Sequence, residues 1–154
     1  MDDVKRILVV CRMPEYCRKA VHYGVKLSRM FGSELYILLL IYDPFIRGDW
    51  NLPLPLGPVE DEYAKLQKEA RKKLDAIITE EKKKGISIRE LVKEGKPAEE
   101  ILNVIEEKKI DLLIVLGHEE SKLEHFLFGR SNDEIMRKLP CSVLIIKKEP
   151  EQEA

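Results

Sequence analysis

The chain lacks an excess of either charge: 27 lysines and arginines stand against 28 aspartates and glutamates, for a formal net charge of -1. No global basic field exists to draw nucleic acid or an acidic membrane surface, so neither is expected as a partner. Long hydrophobic runs are missing too. The longest, "LYILLLIY" at Leu35–Tyr42, is about a third of a membrane span. The opening "MDDVKRILVV" sets two acids before an apolar run too short for a signal h-region, and a soluble cytoplasmic protein is expected. Cysteines are few: Cys11, Cys17 and Cys141 are odd in number and spaced unlike any zinc or redox pair. Buried free thiols in a reducing compartment are the expectation. The three histidines, His22, His118 and His125, have no metal-ligand spacing, and no triad or carboxylate pair is recognisable, so neither a metal nor a catalytic residue is expected. Glutamine and asparagine are scarce beside abundant lysine and glutamate, a bias typical of proteins from hot environments.

What is present alternates between two periodicities. "KRILVVC" (Lys5–Cys11) is a short branched run that predicts a strand, and Pro14 suits the first turn of the helix after it. Ala20, Val21, Gly24, Leu27, Ser28 and Phe31 recur at helical spacing opposite Arg18, Lys19, Lys26 and Arg29, and Gly32 supplies a stop. "SELYILLLIYD" (Ser33–Asp43) is almost continuously apolar, as in a parallel strand covered on both faces. A long helix over Val59–Lys84 carries a stripe of Tyr63, Leu66, Ala70, Leu74, Ile77 and Ile78, closed by three lysines and Gly85. "ISIRELVKEG" alternates, which predicts an edge strand with one exposed face. "KPAEEILNVIEEKK" has Pro97 in its first turn, acids early and lysines late, in accord with the helix dipole. "IDLLIVLG" and "CSVLIIKK" read as two further buried strands flanking a helix over about 131–139.

Five strands alternating with four helices predict an α/β fold: an open five-stranded parallel sheet with helices on both faces. Ligands in such sheets sit at the carboxyl ends of strands where the winding direction reverses. With the order 3-2-1-4-5, that crevice lies between strands one and four, with Cys11, Arg12 and Met13 on one side and Gly117 and His118 on the other. Cys11 beside Arg12 could have a lowered thiol pKa, against the simpler reading of a small buried residue. His118 lines the crevice or the surface, with no acid or nucleophile fixed beside it, and His22 and His125 read as polar surface.

Over Lys5 to Lys148 the pattern resembles the universal stress protein family. The matching pieces are "KRILVV", "LLLIYD", "EGKPAEEIL", "IDLLIVLG" and "GRSNDEIMRKLPCSVLIIKK", in this order and at these distances. The resemblance implies the adenine nucleotide α-hydrolase-like fold and ATP with magnesium as ligand. In the family's nucleotide-binding branch the segment after strand four reads G-x-x-G-(x)9-G-S/T, and its amides and hydroxyls hold the phosphates. Gly117 and Gly129 fit the outer glycines, but the interval between them is one residue short, and Glu119 or Glu120 takes the place of the middle glycine. Arg130 stands where the hydroxyl belongs, with Ser131 one place late, and Arg12 replaces the family's acid at the end of strand one. Ile41 matches the branched apolar position set against adenine. A carboxylate about 4 Å from a phosphate oxygen costs on the order of 1 kcal/mol when solvated and about 4 kcal/mol at a surface dielectric, against roughly 8 kcal/mol for micromolar binding. Lys122, Arg130 and Arg12 turned inward would reverse the sign, and the helix start at Ser131 and Asn132 would favour an anion.

The segment "DPFIRGDWNLPLPLGP" (Asp43–Pro58) carries Trp50 and five other apolar side chains, Phe45, Ile46, Leu52, Leu54 and Leu56, amid proline and glycine. Such a connection packs on its own domain or a dimer mate, or meets a foreign protein partner. The resemblance further implies a homodimer through the last strand, with Val143, Leu144, Ile145 and Ile146 in the interface. One domain is expected over residues 1–148, with a disordered tail at 149–154. Three readings follow: a non-enzymatic stress-response dimer with weakened or altered nucleotide binding, an ATP-dependent switch with at most slow hydrolysis, and an α-hydrolase-type enzyme. The last needs a signature near strand one that "CRMPEYC" does not offer.

Overall fold

The computed structural model describes residues 3–12, 14–41, 57–117 and 138–147, with backbone alone at 14–16, 57–63, 97 and 117. Along the chain run β1 (Arg6–Cys11), α1 (Pro14–Phe31), β2 (Glu34–Ile41), α2 (Gly57–Lys82), β3 (Ile88–Glu94), α3 (Pro97–Lys108), β4 (Leu112–Gly117) and β5 (Ser142–Lys147). All five strands join one sheet in the order β3-β2-β1-β4-β5, every neighbouring pair parallel. The expected helix over 131–139 falls outside the described residues except at its end.

The sheet separates two apolar layers. On one face Val9, Cys11, Ile37 and Leu39 pack with Ala20, Val21 and Val25 of α1 and Leu74, Ile77 and Ile78 of α2. On the other, Leu8, Val10, Leu38 and Val115 pack with Ile101, Val104 and Ile105 of α3. This is what right-handed crossovers demand when the chain winds from β1 out to β3 and returns to β4. Gly24 lets α1 approach the sheet: a Cβ there would stand 2.6 Å from Val9 Cγ2 and 3.1 Å from Leu35 Cδ1. Gly32 and Gly85 end their helices at positive φ, 66° and 89°, a backbone shape that glycine adopts without steric cost.

Four local expectations need correction. Leu66 is 62% exposed, because α2, at 26 residues about 39 Å long, outruns the eight-residue β2, about 26 Å. Phe31 is exposed at the last position of α1, where Gly32 already turns the chain away, and Val25 takes a core place instead. In β3 both faces are partly covered, since Ile88 and Val92 join one layer and Leu91 the other. Finally, Cys11 and Cys17 are not free thiols but form a disulfide, with Cα atoms 5.7 Å apart.

The amino edge of the sheet is tied by one carboxylate. Asp111 Oδ2 accepts from the backbone N–H groups of Lys5 and Arg6, both at 2.9 Å, while its own N–H donates to Arg6 O at 2.9 Å. The Ser28 hydroxyl donates to Ser33 O at 2.6 Å, and that of Ser33 to Val4 O.

Candidate nucleotide crevice

The carboxyl edge is built differently. β1 pairs with β2 through all of Arg6–Cys11, and β4 with β5 through all of Leu112–Gly117. Between the two central strands the ladder covers only Ile7↔Leu112, Leu8↔Leu113 and Val9↔Ile114, although both strands run on beyond it. The sheet therefore divides at its carboxyl end between β1 and β4, at the point where the winding direction reverses. That division is where a ligand enters such a fold.

On its β1 side the strand ends in Cys11, fully buried, and Arg12 follows, half-buried. The disulfide joins Cys11 to Cys17, 3% exposed, the fourth residue of α1. This bond removes the thiol whose pKa Arg12 could have lowered. Sequence spacing alone could not reveal it, because a separation of six residues brings two sulfurs together only if strand, turn and helix fold back at one particular angle.

Ile41 ends β2, two residues past Leu39, the Cα partner of Cys11, and is half-buried against the α1–α2 layer. Its carbonyl accepts from Gly95 N–H at 3.2 Å, which holds the chain leaving β3 against the end of β2. Gly117 ends β4 in register with Lys147. Arg12, Ile41 and Gly117 thus reach one edge of one sheet, as their positions in the sequence predict. Met13, His118, Lys122, Gly129, Arg130, Ser131 and Asn132 lie outside the described residues, as does the 43–56 part of the long connection.

Elsewhere the structure places chemistry that the sequence does not announce. Glu90, in the middle of β3, is pushed up to about 7 by burial, then by a hydrogen bond with Asp75 and that residue's charge. Cys141, at the amino edge before β5, is the free cysteine, and burial followed by the Asp111 carboxylate pushes it up to about 11. Both residues are remote from the divided edge. A concavity of about 340 Å³ lies at the amino ends of β2 and β3, lined by Ser28, Arg29, Ser33, Glu34 and Arg89 among others. Its polar groups are already engaged: Arg29 donates to Lys84 O and Arg89 to the Tyr36 hydroxyl. The concavity lies at the edge opposite the division. No cluster of metal-ligating side chains occurs among the described residues, and no helix among them is long and apolar enough to cross a membrane.

Comparison with known proteins agrees with this architecture. The family model described as "Universal stress protein family" matches residues 3–147. The chain belongs to the universal stress protein family. A universal stress protein of Methanocaldococcus jannaschii is 27% identical, over 94% of this chain and 82% of the relative. Among solved structures, a protein of this family from Burkholderia pseudomallei superposes with a TM-score of 0.66 at 16% identity, over 95% of this chain and 98% of that one. A universal stress protein from Archaeoglobus fulgidus in complex with dAMP does so with a TM-score of 0.55 at 19% identity, over 96% and 100%. At these identities the solved structures speak for the fold alone, the open parallel sheet in the order β3-β2-β1-β4-β5.

Proposed function

We propose that this universal stress protein is a non-enzymatic, cytoplasmic stress-response regulator that works as a homodimer through β5, with a crevice whose nucleotide binding is weaker than, or altered from, the family's standard mode. The observation that carries the reading is Arg12 at the mouth of the divided sheet, a cation where the family has an acid for the nucleoside. It is supported by the sequence of the loop beyond Gly117, where Glu119 and Glu120 bring negative charge toward a phosphate position and Arg130 replaces a hydroxyl. Arg12, Lys122 and Arg130 would then favour a small anion over a nucleoside triphosphate. By its sequence the 43–58 connection, with Trp50, suits contact with its own domain or a dimer mate ahead of a foreign protein partner, and residues 1–148 act as one domain.

Ile41 favours a second reading, an ATP-binding switch with magnesium and at most slow hydrolysis. It occupies the edge position suited to an adenine face, and a solved relative holds an adenine nucleotide. Thermal shift with ATP, AMP, pyrophosphate and sulfate, each at about 5 mM, separates the two. A millimolar Kd stabilises by about 1 kcal/mol and a micromolar one by about 5 kcal/mol, or Tm shifts near 3 °C and 15 °C for a domain of this size. The proposal expects the small shift, shared by pyrophosphate and sulfate. A large shift with ATP alone would establish the switch instead.

A further inference from the structure

The Cys11–Cys17 bond stands at the divided edge and is not used by the reading above. It joins the last residue of β1 to the first turns of α1, and the ring it closes contains Arg12 and the whole turn between strand and helix. Two features argue against a purely structural staple. The closed loop is short, so cross-linking removes little chain entropy compared with a long-range bridge. The fold also has a continuous apolar layer on each face of its sheet, and does not need the bond as small disulfide scaffolds do.

We propose that Cys11 and Cys17 form a reversible redox modification site that sets the order of the β1–α1 turn and, through it, anion binding in the crevice. Oxidised, the turn is held and binding is strongest; reduced, the first turn of α1 is released and binding weakens. The link to the crevice rests on the function proposed above, whereas the redox site itself does not. Both sulfurs are shielded, Cys11 at 0% and Cys17 at 3% exposure, so exchange requires opening. Helix ends open at the least cost, since the first turn has no partners for its N–H groups within the helix. Fraying of α1 uncovers Cys17 Sγ without disturbing β1, whose Cys11 end stays paired with β2.

The reductant is a dithiol. One of its thiolates attacks Cys17 Sγ, the S–S bond breaks, and Cys11 Sγ leaves as a thiolate and takes a proton. The second thiolate of the dithiol then attacks the mixed disulfide and releases Cys17, which is protonated in turn. Two electrons pass to the protein and the dithiol ends as a disulfide; the reverse sequence, with a disulfide oxidant, restores the bond. Cys141 does not compete, because it lies at the amino edge beside Asp111 and Leu113 while the bond lies at the carboxyl edge.

The test equilibrates the folded full-length chain with dithiothreitol and its oxidised form at graded ratios, then reads thiols by maleimide mass-tagging after a denaturing quench. Hydrogen exchange of the 11–20 segment and binding of ATP–Mg are followed on the same samples. The proposal expects one tagged cysteine in the oxidised protein and three in the reduced, with circular dichroism unchanged. It expects amide exchange in the turn about tenfold faster on reduction. It further expects ATP–Mg binding at least about fivefold weaker, the low end of coupling between sites. The double variant Cys11→Ser/Cys17→Ser should behave as the reduced form at every ratio. Three tagged cysteines in the aerobically purified protein, a bond that yields only in denaturant, or turn amides indifferent to reduction would each overturn the proposal. Turn amides that respond while ATP binds neither form would uphold the redox site and overturn its link to a nucleotide crevice.

Discussion

Asp111 gives its carboxylate to two amides that no strand partner reaches, and the sheet's amino edge depends on it. Removing it leaves one part-buried donor, Arg6 N–H, and one exposed donor, Lys5 N–H, unmet, at about 1–3 kcal/mol, the range for a buried donor left without a partner. Asp111→Ala should therefore lower Tm by about 3–9 °C in calorimetry, and Asp111→Asn, which keeps an acceptor oxygen, should recover more than half of the loss. Glu90 makes an opposite demand. Its carboxyl is raised from 4.5 to about 7, first by burial and then by Asp75, with Arg71 and Lys82 as the opposing charges that face it. The folded state thus holds a proton that the unfolded chain has released between these values, and stability from this group falls as pH rises through that window. Tm should decline from pH 5 to pH 8 and then level off. Glu90→Gln should flatten the decline and melt above the wild type at pH 8, and an unchanged profile in that variant would contradict the assignment. Cys141, raised to about 11, should react with iodoacetamide at pH 7.5 far more slowly in the native protein than after unfolding in urea.

At the scale of elements, Gly24 decides how α1 seats on the sheet. Gly24→Ala gains about 1 kcal/mol of helix propensity but forces a methyl within 2.6 Å of Val9, an overpacking cost of about 1–3 kcal/mol. The cost wins, and Tm should fall by a few degrees although alanine is the better helix former. Periodicity made most elements legible: each strand falls within one or two residues of its apolar run, and Gly32 and Gly85 stop the helices they were read to stop. Failures came where one element's fate depends on another's dimensions. Leu66 was read into one stripe with Leu74, Ile77 and Ile78, which are buried, but it lies on a helix longer than the sheet beneath it. The disulfide depends on the angle between β1 and α1, which no single-residue pattern encodes. For the candidate site, the placement of Arg12, Ile41 and Gly117 at one edge of the sheet was legible because strand order alone fixes which ends meet.

For the whole molecule, the edges of the sheet matter most. β5 has β4 on one side, and Ile145 is 51% exposed beside half-buried Val143 and Leu144. An apolar edge of this kind invites a further strand, which supports the proposed pairing with β5 of a second copy. Sedimentation at tens of micromolar should give about twice the 17.9 kDa chain mass, and Ile145→Asp should shift it toward the monomer. A wild-type monomer under these conditions would contradict the dimer. The central claim, an altered crevice at the division between β1 and β4, is tested most directly by isothermal titration of ATP with magnesium into protein purified under denaturing conditions and refolded, so that no carried-over nucleotide hides the site. The account predicts no binding tighter than about 100 µM, or roughly 5.5 kcal/mol. A micromolar Kd, abolished by Ile41→Arg, would contradict it and show a working ATP site.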